Sequence, residues 1–189
     1  YEMSASLVGS EMCIRDRLTM AEYRLVQEHA RYSYDILDQN WLMPARTKQG
    51  VLHHHENEDG TGYPNRLVGD EIPPYAKIIH VADVYDALTS KRPYKKPYAL
   101  SEAIEYLMGG SNVLFDRKAV EAFLEAVPVY AKGIEVTMTN GEKALVVANS
   151  SNPLRPIVRL ISNGKDIDLN NDKDYISVTI APHTVCLLY

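Results

Sequence analysis

The feature that most limits the fold of this chain is a change of hydrophobic period at Pro128. Ahead of it, apolar residues recur at three- and four-residue spacing, as on helices packed along one face. Beyond it, short runs alternate apolar and polar residues, the pattern of half-buried antiparallel strands. Glu135 to Met138 and Lys143 to Ala148 flank Asn140-Gly141, which predicts a type I′ hairpin. Pro156 to Ser162 and Lys165 to Leu169 flank Asn163-Gly164 and predict a second hairpin. The expected fold class is therefore mainly α: a helical bundle followed by a small antiparallel β module over residues 129–180.

The helical part has readable start and stop signals. Thr19-Met20-Ala21-Glu22 reads as a capping box. The helix it opens carries Leu25, Val26, His29, Tyr32, Ser33 and Ile36 on one face, which is expected to turn His29 inward. A loop from Trp41 to Pro44 follows, and then a shorter helical piece leads through Val51 and Leu52 into three consecutive histidines. Pro73 and Pro74 start a third helix, from about Tyr75 to Ser90. It is apolar around much of its circumference and is expected at the centre of the bundle. Asp83 sits within it, where a carboxylate must be paired, hydrogen-bonded or bound to a metal. Ser101 and Asp116 are expected to cap two further helices that serve packing alone.

The chain has 189 residues, 46% hydrophobic and 24% charged, enough to bury a core without staples. A net charge of −5 argues against a general nucleic-acid binder, and no apolar run is long enough to span a bilayer. Cys13 and Cys186 both lie near the ends. Residues 5–17 resemble a translated sequencing-adapter tract, and 185–189 resemble the start of another. The expected division is then 1–17 as a foreign tract, 18–128 as a helical core, 129–180 as the β module and 181–189 as a tail. Setting both cysteines aside leaves no disulfide to form, which suits a cytoplasmic protein.

The chemistry is concentrated in His53 to Pro64, where a histidine cluster runs into a glycine-rich turn. Imidazoles are the commonest protein ligands for zinc, iron and related metals. Gly60 and Gly62 allow backbone angles and close approaches that a Cβ would forbid. Adjacent residues of a helix project about 100° apart, so His54 and His55 are expected to serve two neighbouring metals, or to flank a bridging hydroxide. His53 lies one position outside this pair and reads as a bystander. Lys91 to Lys96 is a basic run at the exit of the helix that carries Asp83.

These residues resemble the signatures of the HD-GYP family. His54, His55 and Glu56 match its His-His-Glu, Gly62-Tyr63-Pro64 its Gly-Tyr-Pro, and His80 to Ser90 its second long signature. The resemblance implies an HD-type helical bundle and a metal-dependent phosphodiesterase acting on cyclic di-GMP with two divalent metal ions, iron or manganese. It implies His29, His54, His55 and Asp83 as metal ligands, with His54, His55 and Asp83 catalytic and Glu56 and Asp59 supporting them. Gly62, Tyr63, Arg92 and Lys95 would contact the nucleotide, and Asp86 would stabilise the turn that follows. A diguanylate cyclase domain is an implied partner of the Gly-Tyr-Pro loop. The family's His-Asp pair would precede Thr19, where this chain has the adapter-like tract and Asp16 follows no histidine. The chain is accordingly expected to be an N-terminally truncated, poorly active piece of such an enzyme. The alternatives are a silent module that binds nucleotide or a partner protein, and a phosphohydrolase acting on another nucleotide.

Overall fold

The computed structural model describes residues 19–91 and 97–181. They form two compact units. One takes the described residues up to Tyr98 together with Glu105–Phe123; the other takes Ala99–Ile104 and the described residues from Leu124 onward. The helices are α1 (Met20–Gln27), α2 (His29–Asp38), α3 (Ala45–Leu52), α4 (Pro74–Thr89), α5 (Leu100–Gly109) and α6 (Arg117–Ala126). The strands are β1 (Glu135–Thr137), β2 (Lys143–Ala148), β3 (Ile157–Leu160) and β4 (Asp166–Asp168). Among the described residues no helix is long and apolar enough to cross a membrane.

In the helical unit the capping box forms as the sequence requires. Thr19 Oγ1 accepts from the Glu22 amide at 3.3 Å, and Glu22 Oε2 accepts from the Thr19 amide at 2.8 Å. Glu28 separates α1 from α2 yet keeps helical angles, φ −65° and ψ −14°, so the two run on as one rod. The period of this rod is as expected, and Val26, His29 and Ser33 lie on the covered side as expected, but the larger apolar residues do not. Leu25, Tyr32 and Ile36 are exposed, and the side turned to the rest of the unit carries Val26, Ala30, Ser33 and Leu37. Small side chains explain the rotation: Ala30, fully buried, lets α2 lie close on its neighbour α3. Lys48 of α3 closes the C-terminal end of α2, with Nζ 3.0 Å from Asp38 Oδ1 and 3.3 Å from the Asp38 carbonyl, a cation where the helix dipole favours one. At Gly50, a Cβ would come within 2.8 Å of Tyr75 Cβ, which fixes the approach of α3 to the start of α4.

Helix α4 begins with Pro74 at its first turn, where the missing amide costs nothing. It buries Ala76, His80, Val81, Val84, Ala87 and Leu88. It is not covered all the way round: Tyr75, Ile78, Ala82 and Asp86 are exposed. Asp86 Oδ1 accepts from Ser90 Oγ at 2.9 Å, tying down the end of the helix. Asp116 Oδ1 accepts from the Ala119 amide at 2.8 Å and so caps α6.

The second unit is an antiparallel meander in the order β1-β2-β3-β4. Val136, Ala144, Val146, Val158, Leu160 and Ile167 alternate into its core. Both Asn-Gly pairs make hairpins, but the first is not type I′, because Asn140 keeps negative φ and only Gly141 (φ 86°) turns positive. Met138 N donates to Glu142 O at 2.9 Å and Gly141 N to Met138 O at 2.9 Å. This is a three-residue loop with glycine in the left-handed position, the alternative use of the same sequence. Arg155 then gathers the end of the chain, with Nε on the Leu169 carbonyl at 2.7 Å and Nη2 on those of Tyr175, Ile176 and Val178 at 2.7–3.2 Å.

Candidate metal centre

The three imidazoles meet because α3 ends early. Its last residue is Leu52, and His53 leaves helical geometry with φ −106° and ψ 14°. His54 and His55 therefore lie on a turn, where the 100° rule for helical neighbours does not apply. Their ring centroids are 4.0 Å apart, and both rings face His29 from α2. His29 Nε2 is 3.3 Å from His54 Nε2 and 3.0 Å from His55 Nε2. Nitrogens about 2.1 Å from a single ion, at tetrahedral to right angles, stand about 3.0–3.4 Å apart. This spacing would also let all three imidazoles serve a single ion, beside the expected sharing of His54 and His55 between two.

The tautomers point the same way. His29 Nδ1 lies 2.6 Å from the Val26 carbonyl and His54 Nδ1 2.5 Å from that of Val51. A carbonyl only accepts, so Nδ1 carries the proton in both rings and both Nε2 atoms present lone pairs. Two lone pairs facing each other at 3.3 Å repel unless a cation sits between them. Burial, the largest cause, lowers the His54 pKa, against the raising influence of the Val51 carbonyl and the Asp83 charge. Burial pushes His55 down to about 2, helped by the charges of His54, His29 and His80. Both rings are thus neutral ligands near pH 7. His29, His54 and His55 form the group of three donors suited to a metal among the described residues. Asp83 stands outside that group but close enough for its charge to act on His54.

The loop beyond the histidines is anchored at several points. Glu56 is 2% exposed, and its carboxylate accepts from the amides of Asn65 at 2.7 Å and Leu67 at 3.0 Å. It grips the far side of the Gly-Tyr-Pro turn, and its contact with an imidazole is with His53, Nδ1 to Oε1 at 3.6 Å. Asp59 accepts from Thr61 N and Oγ1 at 3.0 and 2.6 Å, closing a local turn. Gly62 is pressed into the backbone. A Cβ there would lie 2.4 Å from Asn57 N and His55 O and 2.6 Å from Glu56 Cα. Tyr63 N donates to His55 O at 3.1 Å, and the Tyr63 ring stacks on His55 at 4.8 Å with the planes 22° apart. The Tyr63-Pro64 peptide is cis. Arg92 and Lys95 lie outside the described residues.

Three residues of the site were not singled out by the sequence. His53 stays outside the group of three imidazoles, but it is buried, with Nε2 3.0 Å from Gln49 Oε1, and it lies against Glu56. Its i,i+4 relation to Gln49 was the available signal. His80 is buried against Phe115, with ring centroids 4.9 Å apart, and donates to the Glu56 carbonyl. Its place between Ala76 and Val84 on one stripe of α4 marked it as inward. Lys77 meets two carboxylates, Glu58 at 2.8 Å and Asp116 at 3.3 Å; nothing local in the sequence announces that meeting.

Comparison with known proteins agrees with this geometry. Residues 9–119 match the HD domain family. The chain is 42% identical over 110 residues to the cyclic di-GMP phosphodiesterase response regulator RpfG of Xanthomonas campestris pv. campestris, covering 57% of this chain and 29% of that protein. It is 39% identical over 131 residues to a cyclic di-GMP phosphodiesterase of Pseudomonas aeruginosa, covering 69% and 31%. It is 41% identical over 111 residues to a 3'3'-cGAMP-specific phosphodiesterase of Vibrio cholerae, covering 58% and 21%. The match thus spans less than a third of each of these relatives. With the His-His-Glu and Gly-Tyr-Pro segments folded around one imidazole cluster, the chain belongs to the HD domain family, in its HD-GYP branch.

Proposed function

We propose that residues 18–128, with the β module 129–180 appended, are the catalytic region of a metal-dependent phosphodiesterase that hydrolyses cyclic di-GMP. The observation that carries this reading is the convergence of three imidazole nitrogens, from His29, His54 and His55, beside the Gly62-Tyr63 loop. Divalent ions, two in number and iron or manganese by the resemblance, would lower the pKa of bound water and polarise a phosphoryl oxygen. His29 and His54 would hold an ion through Nε2, their rings fixed by the Val26 and Val51 carbonyls. Fixing the second nitrogen in this way sets ligand orientation and basicity. His55 adds the third nitrogen, and Asp83 adds negative charge on the same side as His54. Tyr63 offers an aromatic edge for a guanine base, and Arg92 and Lys95 suit the phosphates. Hydrolysis adds water across one P–O3′ bond, and the 3′ oxygen leaves with a proton.

The 189 residues contain no His-Asp dipeptide. Three imidazoles and one carboxylate are few donors for a two-ion site, so slow turnover is expected of the chain as it stands. The test compares this chain with one carrying the His-Asp segment of a relative fused ahead of Thr19. Turnover of cyclic di-GMP and of 3'3'-cGAMP is followed with manganese or ferrous iron. The fused chain should turn over cyclic di-GMP and lose activity on Asp83→Ala. Rapid turnover by the unfused chain would show that the ligand set is wrong. Binding without turnover in both chains would favour the silent module.

A further inference from the structure

We propose that Lys77 is the positioning residue of the Gly62-Tyr63 loop, acting through Glu58; the link to substrate binding rests on the phosphodiesterase reading above. Lys77 lies on α4, the helix that carries Asp83. Its Nζ is 2.8 Å from Glu58 Oε1 and 3.3 Å from Asp116 Oδ2, and the side chains of Lys77 and Glu58 are 12% and 14% exposed. Two carboxylates share one covered ammonium. Burial alone would pull the lysine pKa down, but Glu58 and Asp116 outweigh it and keep the group charged.

Glu58 stands where the loop starts, and Gly69, whose amide donates to the Glu58 carbonyl at 3.2 Å, stands where it ends. Asp59 and Val68 bridge the same neck, and the amides of Glu58 and Asp59 donate to the carbonyls of Leu114 and Val113. Within this closed neck lie Gly62 and Tyr63, the latter stacked on His55. The Lys77–Glu58 pair is the side-chain tie between the neck and α4. Without the ammonium, Glu58 and Asp116 are two covered like charges with no cation between them, a costly state. The neck then gains by moving Glu58 outward to water, and Tyr63 loses one of the restraints on its loop, the others being the Glu56 carboxylate and the bond from Tyr63 N to His55 O. The His29 and His54 rings are fixed by the Val26 and Val51 carbonyls, outside the loop, so these two nitrogens keep their places when the neck moves.

The rival role for Lys77 is to tie α4 to the start of α6 through Asp116. Four variants separate the two: Lys77→Met, Lys77→Arg, Glu58→Gln and Asp116→Asn. Each is measured by amide hydrogen exchange over residues 58–69, by manganese binding and by cyclic di-GMP binding in the presence of manganese. Lys77→Met and Glu58→Gln should each speed loop exchange about tenfold or more and weaken nucleotide binding by about tenfold. Manganese affinity should stay within about threefold. Lys77→Arg, whose fork can serve both carboxylates, should restore loop and nucleotide binding to within about threefold, and Asp116→Asn should leave loop exchange near the parent value. An unchanged loop in Lys77→Met overturns the proposal, as does Asp116→Asn reproducing Lys77→Met while Glu58→Gln is silent. If the parent chain binds no cyclic dinucleotide, the phosphodiesterase reading fails for it, and the exchange data alone decide whether Lys77 holds the loop.

Discussion

Replacing Gly62 by alanine tests whether the loop is held by contact with the backbone of the histidine turn. The new Cβ would meet Asn57 N and His55 O at 2.4 Å and Glu56 Cα at 2.6 Å. These are main-chain atoms, so no side chain can swing aside to make room. To reach ordinary contact, the backbone must part by more than half an ångström, which breaks the bond from Tyr63 N to His55 O. Overpacking of this kind costs about 1–3 kcal/mol, and the lost hydrogen bond adds about 1 kcal/mol. The reduced freedom of the unfolded chain returns about 0.4–1 kcal/mol. The net expectation is a loss of about 1–3.5 kcal/mol, read as a lower urea midpoint of the helical signal in circular dichroism. Gly109→Ala is the control. Nothing lies within 4 Å of a Cβ there, and the residue closes α5. It should match the parent or gain up to about 1 kcal/mol. A Gly62→Ala chain within about 0.5 kcal/mol of the parent would refute the claim that the loop is locked by close packing.

Other outcomes follow from the same structure. His80 is held neutral, with its pKa lowered to about 4 by burial and the charge of His54. The unfolded ring takes up a proton near pH 6.5 and the folded one does not, so its contribution is present above pH 6.5 and lost as pH falls toward 4; His54 and His55 act in the same direction, and His80→Leu should make the acid-linked loss in urea titrations smaller by on the order of 3 kcal/mol. Glu56→Ala removes the buried acceptor for the amides of Asn65 and Leu67 and should cost about 3–5 kcal/mol by thermal or urea unfolding. Arg155→Met should destabilise the β unit by about 2–4 kcal/mol, and Arg155→Lys should fail to rescue it, because an ammonium cannot span the four carbonyls that the guanidinium reaches. Strand-region hydrogen exchange reads both variants.

Features set by neighbours in sequence were legible without the structure. The Thr19 box, the Asp116 cap, the proline start of α4 and the positions of both hairpins depend on residues three or four apart, and local chemistry fixes them. The misread features were set by distant partners. The face expected to be buried joined Val26, His29 and Ser33, which do turn inward, with Leu25, Tyr32 and Ile36, which do not, and it left out Ala30, whose small side chain decides how near α3 can come. The pairing of His54 with His55 was judged as if both stood on a helix, but α3 stops at Leu52, and that stop is not written in any glycine or proline. The first hairpin turn differs from expectation because an Asn-Gly pair serves two loop lengths, and strand register selects between them. Lys77, Glu58 and Asp116 are brought together from three separate segments, and no local pattern records that meeting. His29, His54 and His55 were grouped through the family resemblance, and the structure brings their ring nitrogens within 4.8 Å of one another.

The exposed stripe of Leu25, Tyr32 and Ile36 has a consequence for spectroscopy. Trp41, the single tryptophan of the chain, lies just past α2 and is 86% exposed, with Leu42 beside it at 70%. In most proteins indole emission moves to the red as the core opens. Here the indole is bathed in water while the core is intact, so unfolding should shift its emission little. A shift to the blue, or protection from an added quencher, would instead report that something has settled on this apolar patch. The intrinsic fluorescence of this protein is therefore a gauge of association at one surface.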